Sequence, residues 1–198
     1  MLNSPGNNYV NVQNFNLASL HNKGIDIETA YRHNLSSFGL PGAFTVRGLA
    51  TRTLHFITDS GVLGTIPSEG AGVNLGSTPK WKLLASQSWD SDKASLTLTE
   101  RWFSAGVYSN EYIECQTNCP VSTLIHPTIY DNHMAGATYI DLGGSYNVSK
   151  QLMLYFKIDN LADRDPVAAP QANPSFAVNP TLYDVIGRTY RAGLRYNF

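Results

Sequence analysis

The sequence predicts an all-β fold: an incomplete antiparallel, up-and-down transmembrane β-barrel segment of about seven strands. Apolar and polar residues alternate with a period of two along most of the chain, whereas helical periodicity is nearly absent. Tyr (11), Phe (8) and Gly (16) are frequent and charged residues make up only 15%, a composition that suits strands and turns. Short and long connections also follow one another in alternation, which is typical of outer-membrane barrels.

The first three predicted strands span residues 11–35, 43–57 and 80–89. The apolar residues that share a face are Ile25, Ile27 and Tyr31, then Phe44, Val46, Ala50, Leu54 and Phe56, then Trp81, Leu83, Ala85 and Trp89. Because successive side chains of a strand point to opposite faces, this spacing predicts strands with one apolar and one polar side.

The last four predicted strands span residues 93–107, 137–148, 151–161 and 187–198. Three of them alternate cleanly, with these residues in phase: Thr138, Ile140, Leu142, Tyr146 and Val148, then Leu152, Leu154, Phe156 and Ile158, then Tyr190, Ala192, Leu194, Tyr196 and Phe198. The strand at 93–107 begins in phase at Leu96 and Leu98 but then meets Glu100. This break predicts a β-bulge.

The connections differ in length from one side of the predicted sheet to the other. Residues 36–42, 90–92 and 149–150 form short turns, and residues 58–79, 108–136 and 162–186 form long loops. In a barrel the short turns are periplasmic and the long loops extracellular. The long loops are rich in Gly, Pro, Ser and Asn, so we expect them to be irregular and exposed.

Two interpretations compete for the apolar face. It packs on a second sheet in a soluble sandwich, or it meets lipid while the polar face lines a wet lumen. Three features favour the membrane: the strand lengths match a tilted crossing of the bilayer, the loop lengths alternate, and aromatic residues gather near strand ends, where interfacial girdles lie. The aromatic residues are Tyr31, Trp81, Trp89, Tyr146, Tyr190 and Phe198.

Composition excludes several classes of protein. The 15 acidic and 14 basic residues nearly cancel, so no global field attracts nucleic acid, and no nucleic-acid partner is expected. No apolar run approaches the length of a membrane-spanning helix. The opening MLNSPGNNYV lacks the basic and apolar regions of a signal peptide, so we expect any export signal to lie outside the chain.

Four stretches occur in order: ASLHNKGIDIETAYR at 18–32, TYIDLGGSYNV at 138–148, KIDNLADRDP at 157–166 and YDVIGRTYRAGLRYNF at 183–198. Together they resemble the end of a TonB-dependent receptor, an outer-membrane transporter with a plugged barrel. Each motif is weak alone. Their order, together with the terminal aromatic residue, makes the resemblance specific.

The resemblance implies that residues 1–198 are the C-terminal portion of such a barrel, without plug domain or signal peptide. It implies uptake of a scarce nutrient, such as a ferric siderophore or an oligosaccharide, across the outer membrane of a Gram-negative bacterium, driven through TonB. The implied partners are the missing N-terminal barrel and plug, the TonB complex contacted by the missing N-terminus, outer-membrane lipid, the barrel assembly machinery and a small nutrient ligand. No cofactor is implied, because the inner-membrane proton gradient supplies the energy.

Two other classes of function stay open. A soluble all-β module for carbohydrate or another ligand would use its aromatic residues as stacking platforms. An enzyme would rest on paired carboxylates such as Asp26 and Glu28, which could serve a glycosidase. The sequence contains no Gly-x-Ser-x-Gly, His-Glu-x-x-His or phosphate-binding loop, so we predict no catalytic residues and a protein that is not an enzyme.

Cys115 and Cys119, the two cysteines of the chain, lie in CQTNC within a predicted surface loop. An oxidising compartment favours a disulfide between them. Free thiols are the alternative, and a Cys2His2 metal site with His126 and His133 is another. The spacing of that set is not a familiar one, so we predict no metal.

The resemblance also divides the strand residues between two environments. Residues expected to face the lumen, where they hold the plug, line the transport path or simply pair within the wall, are Asp26, Glu28, Asp141, Lys157, Asp159, Arg191 and Arg195. On the last strand, those expected to face lipid are Tyr190, Leu194, Tyr196 and Phe198. Phe198 resembles the C-terminal aromatic that the assembly machinery reads.

Overall fold

A computed structural model of the chain describes residues 19–62, 64–173 and 176–198. The strands assigned within these ranges are β1 (Ser19–Asn34), β2 (Ala43–Asp59), β3 (Ser68–Glu69), β4 (Trp81–Asp90), β5 (Ala94–Phe103), β6 (Gly106–Val107), β7 (Ile113–Glu114), β8 (Thr128–Ile129), β9 (His133–Met134), β10 (Ala137–Asn147), β11 (Leu152–Asp159), β12 (Ala168–Asn173), β13 (Phe176–Val178) and β14 (Thr189–Tyr196). No helix within the described ranges has the length and apolar character needed to cross a membrane.

Seven of these strands form one antiparallel sheet in the order β1-β2-β4-β5-β10-β11-β14, and β3 adds a short pairing to β2. Each of the seven long strands pairs with the next one along the chain, as in an up-and-down meander. The sheet is not closed into a barrel, and β1 and β14 are its edges. The predicted all-β fold with seven antiparallel strands and an incomplete barrel is therefore confirmed.

The register separates the sheet into two faces, because directly paired residues of neighbouring strands project to the same side. One row crosses the whole sheet through Tyr31, Val46, Gln87, Leu98, Leu142, Ile158 and Tyr190. A row on the other side crosses it through Arg32, Thr45, Ser88, Thr97, Gly143, Lys157 and Arg191. We call the side of the first row the apolar face and the side of the second row the polar face.

The bulge predicted at Glu100 is wrong. Both neighbours of β5 keep an unbroken register through this residue, where Glu100 pairs with Ala85 and with Ile140. β5 is a central strand, so a bulge would disturb two hydrogen-bonded ladders at once. The chain instead tolerates a charged residue on the apolar face, where Arg52 also lies as the partner of Trp81.

A register shift occurs in the first hairpin instead. Lys23 pairs with His55 and Gly24 pairs with Thr53, so the extra residue lies on β2. A Cβ at Gly24 would lie 2.7 Å from the backbone oxygen of Arg52, so this close approach requires glycine. The predicted start of the first strand, at residues 11–18, lies outside the described residues.

The first turn is built by local capping. Asn34 accepts the N–H of Ser36 at 2.9 Å and caps a short 3-10 helix, Leu35–Phe38, which ends at Gly39 in the left-handed conformation. Gly42 has φ of 89°, and a Cβ there would lie 2.0 Å from the backbone oxygen of Asp90. Only glycine fits this approach of two neighbouring short turns.

The three long connections, residues 60–80, 104–136 and 160–188, are neither fully irregular nor fully exposed, contrary to the prediction. They contain the pairs β6–β9, β7–β8 and β12–β13, and together we call them the loop layer. A buried cluster joins them to the sheet; it comprises Phe103, Met134, Ala137, Tyr139, Ala169 and Tyr183. Its sheet members lie on the polar face. The loops therefore fold over the polar face at the loop end of the strands.

Candidate functional site: the polar face and its loop cover

The residues predicted to line a lumen share one side of the sheet. The register places Asp26, Glu28, Asp141, Lys157, Asp159, Arg191 and Arg195 on the polar face. Tyr190, Leu194 and Tyr196 lie on the apolar face. Their roles toward lumen and lipid remain predictions, because the sheet is open.

Three of the charged residues pair with one another near the loop end of the last two strands. The Lys157 ammonium lies 2.7 Å from one oxygen of Asp159, and Arg191 donates to the other oxygen. Lys157 and Arg191 are also direct partners in the register. Both cations thus share the single carboxylate of Asp159, which is the simple pairing within the wall that the sequence left open, and one positive charge remains in excess.

Asp141 is the buried acid of the polar face, and it has two partners. Its carboxylate accepts the backbone N–H of Asn160 at 2.9 Å and lies 3.5 Å from the Arg101 guanidinium. Arg101 also lies over the ring of Tyr139, 5.4 Å from its centroid. A cation held against an aromatic face and a carboxylate is fixed in orientation.

Sequence reasoning missed Arg101 as a polar-face residue. The presumed bulge one position earlier obscured the phase of the end of this strand. Unbroken alternation from Leu96 and Leu98 would have placed Arg101 opposite the apolar residues, so the signal was present in the spacing.

One loop segment lies across the polar face; we call residues 179–187 the strap. The ring of Tyr183, which is 2% exposed, packs edge-on against Phe103 with ring centroids 5.1 Å apart. Its hydroxyl donates to the backbone oxygen of Ala135. The hydroxyl of Tyr139 accepts the N–H of Asp184 at 3.0 Å. Burial raises the pKa of Tyr183, so the phenol stays protonated and can donate.

Asparagine side chains join the strap to the rest of the loop layer. The amide of Asn179, which is buried, donates to the backbone oxygens of Asn74 at 2.8 Å and Leu75 at 3.1 Å. Asn74 is buried in turn and donates to the backbone oxygen of Ser104. Backbone acceptors of the first two long loops are thus bonded by an asparagine amide from another loop, as buried polar groups favour.

Two cavities flank the strap above the polar face. One, of about 610 Å³, is lined by Arg101, Asp159, Arg191 and the strap itself. The other, of about 350 Å³, is lined by Leu49, Lys82, Leu84, Arg101 and strap residues Thr181 and Leu182. Arg101 borders both, so it stands between the two spaces that a solute could enter.

Glu69 fastens the loop that follows β2, outside the long strands. Its carboxylate accepts the backbone N–H groups of Phe56 and Ala71, each at 2.8 Å, and lies 2.8 Å from the imidazole of His55. Burial would raise the pKa of Glu69, but these hydrogen bonds and His55 outweigh it and hold the pKa below its usual value.

We expect this attachment to loosen in acid. Because the folded pKa is depressed, the ionised carboxylate stabilises the loop above the unfolded value near 4.5, and the stabilisation is lost as pH falls through the folded pKa. The protection of the Phe56 and Ala71 amides, measured by hydrogen exchange and corrected for intrinsic rates, should fall in that window. Glu69→Gln keeps an acceptor oxygen but does not titrate, so the same pH profile in that variant would contradict the assignment.

Cys115 and Cys119 form a disulfide with a Cα–Cα distance of 5.5 Å. Both sulfurs are therefore occupied, and the described residues contain no cluster of three or more metal-ligating side chains. His126 instead contacts the backbone oxygen of Glu111 at 3.1 Å. The Cys2His2 alternative is not formed in this structure.

The end of the chain carries two aromatic rings in contact. Tyr196 and Phe198 pack edge to face with centroids 5.2 Å apart, and Phe198 is fully exposed just beyond the end of β14. The three tryptophans, Trp81, Trp89 and Trp102, all lie on the apolar face. Trp81 and Trp89 lie near opposite ends of β4, as expected of two aromatic girdles.

Comparison with known proteins addresses the family and the fold. The family model described as TonB dependent receptor-like, beta-barrel matches residues 2–161. No curated protein sequence matches the chain. Two crystal structures of the ferric enterobactin receptor PfeA from Pseudomonas aeruginosa are similar: a double mutant, with a TM-score of 0.51, and a single mutant in complex with enterobactin, with a TM-score of 0.52. Each shows 20% identity over 86% of this chain and 22% of that chain, so this chain spans under a quarter of their length and the likeness concerns the fold.

Proposed function

Because this chain belongs to the TonB-dependent receptor-like β-barrel family, we propose that it forms part of the wall of an outer-membrane nutrient receptor. The family is one of receptors and transporters rather than of enzymes. Residues 1–198 then contribute the C-terminal portion of the barrel. The complete receptor takes up a scarce nutrient, such as a ferric siderophore or an oligosaccharide, with energy delivered through TonB.

The two-faced sheet is the observation that carries this proposal. The row that crosses the apolar face contains no charged residue: six of its seven side chains are aliphatic or aromatic, and the seventh is Gln87. The row that crosses the polar face contains three cations and otherwise small or hydroxyl-bearing residues. Hydrocarbon cannot solvate charges, whereas a water-filled lumen can. Trp81 and Trp89 are eight positions apart, roughly 26 Å along an extended strand. In a strand tilted by about 35–45° they lie roughly 20 Å apart along the membrane normal, within the ~25 Å apolar band of outer-membrane barrels.

In the complete receptor, β1 and β14 pair with the remaining barrel strands. Unpaired backbone groups in lipid are costly, so both edges need a partner. The plug and the TonB contact belong to other parts of that receptor, and the polar face lies against the plug and the transport path. The membrane is the outer membrane of a Gram-negative bacterium.

Tryptophan quenching tests which face meets lipid. We expect the chain refolded into phosphatidylcholine vesicles to lose much of its fluorescence when the acyl chains carry bromine. Bromine near the headgroups should quench more than bromine near the chain ends, because the tryptophans lie toward the strand ends.

A matched pair of variants provides the control. In a background with all three tryptophans replaced by phenylalanine, Leu154→Trp places the probe on the apolar face, and Tyr155→Trp places it on the polar face. Quenching of the first variant alone supports the proposal. Equal quenching of both, or a chain that folds cooperatively in plain buffer and ignores the vesicles, would favour a soluble binding module.

A further inference from the structure

Two leucines interrupt the polar face. Leu49 and Leu84 are direct partners on β2 and β4, and they remain 40% and 45% exposed. Their neighbours along the same strands on this face are polar, among them Thr51, Lys82 and Ser86. Exposed apolar surface in a wall that otherwise meets water favours contact with an apolar group.

Two cations flank the leucine pair. Arg101 on β5 is the direct partner of Leu84. Lys82 lies two residues before Leu84 on β4, on the same face and nearer the long loops. The Lys82 ammonium donates to the backbone oxygen of Ser77 at 3.2 Å and forms no ion pair within the described part of the chain. It therefore keeps donors for another acceptor.

The strap covers part of this arrangement and leaves a cavity of about 350 Å³, whose lining includes Thr181 and Leu182 together with the leucine pair. Its lining contains two cations and, among the described residues, no Asp or Glu. Three acids of the polar face lie outside this lining: Asp141 on β10 lies 3.5 Å from the Arg101 guanidinium, Glu28 on β1 is the direct partner of Leu49, and Asp26 accepts the hydroxyl of Thr51 at 2.7 Å. Within the described part of the chain, Lys82 is therefore the cation of this lining that has no acid partner.

We propose that this cavity binds an organic anion with a compact apolar body, the body on Leu49 and Leu84 and the anionic group on Lys82 and Arg101. The inference rests on the proposed function, because it places a solute on the lumen side of the wall. A neutral sugar would leave Lys82 without an anionic partner and would cover the leucines with hydroxyls, which disfavours it. The strap contributes Leu182 to the apolar contact.

The test uses the full chain refolded in detergent micelles with 13C-labelled leucine methyl groups. The probes are 4-phenylbutyrate and its neutral analogue 4-phenyl-1-butanol. We expect the carboxylate to shift the Leu49 and Leu84 methyl signals saturably and to bind about tenfold more tightly than the alcohol, as one charge-assisted hydrogen bond allows. Lys82→Gln should abolish that difference.

Arg195→Gln is the matched control, because it removes a cation from the same face outside the cavity. It should leave the preference for the carboxylate intact. Equal affinity for both probes, equal losses in the two variants, or no saturable shift would overturn the proposal. Lipid quenching of the tryptophans is measured separately. A chain that inserts into lipid but does not bind the carboxylate refutes only the proposed anion site, whereas a chain that does not insert into lipid refutes the proposed barrel function.

Discussion

Tyr183→Ala should release the strap from the polar face. Replacing a large buried aromatic side chain by alanine typically costs about 3–5 kcal/mol, and Tyr183 is 2% exposed in contact with Phe103. The loss should concentrate in the loop layer, because the ladder of the long strands does not depend on this ring. Hydrogen exchange of the strap amides in the refolded chain measures the opening free energy directly.

Tyr183→Phe separates the ring from the hydroxyl. This variant keeps the contact with Phe103 but leaves the Ala135 backbone oxygen without its donor, so about 1–3 kcal/mol should be lost. If both variants leave strap exchange unchanged, the loop layer is not held by this residue. If the amides in the centre of β10 lose as much protection as the strap, the cluster supports the whole sheet.

Leu98→Arg should destabilise the membrane-inserted chain by about 2–4 kcal/mol, the cost of a lipid-facing arginine near the bilayer midplane. Leu98 lies in the middle of the row that crosses the apolar face, between Gln87 and Leu142. Urea unfolding in lipid vesicles, followed by tryptophan fluorescence, gives the free energy.

Thr97→Arg is the matched control, one residue away on the polar face between Ser88 and Gly143. It adds the same charge to a surface that is expected to meet water, so its effect should be near zero. Equal destabilisation by the two substitutions would mean that the faces do not separate lipid from water, and the barrel assignment would fail.

Much of the sheet could be predicted because strand patterning is local. The seven strands emerge within a few residues of the predicted ranges, and Asp141, Lys157 and Arg191 fall on one face because alternation alone determines the side of a residue. The same rule fails at β5, where the charged Glu100 breaks the pattern and predicts a bulge that the strand does not contain. The hydrogen bonds that β5 forms with strands on both sides stabilise the regular register more than one charged side chain on the apolar face destabilises it. The residue pattern alone does not compare these two free energies.

The loop layer could not be predicted in the same way. Tyr183 and Asn179 lie in a stretch without periodicity, and their polar and apolar neighbours come from distant segments. Asn179 bonds to Asn74, a separation of 105 residues, and Tyr183 packs on Phe103. Composition indicated only exposed, irregular loops, because Gly, Pro, Ser and Asn report turn preference and not burial.

By itself, the amino-acid sequence determined the family, the strand order and the two faces of the sheet, because each depends on short-range spacing and on motifs read in order. Only the tertiary structure decided that the loops fold over the polar face, that Arg101 lies between two cavities, and that Leu49 and Leu84 meet in one of them. All three features depend on the register across strands and on contacts between loops that are distant in sequence. Local patterning does not distinguish between such arrangements, and the free energy of burying apolar surface does.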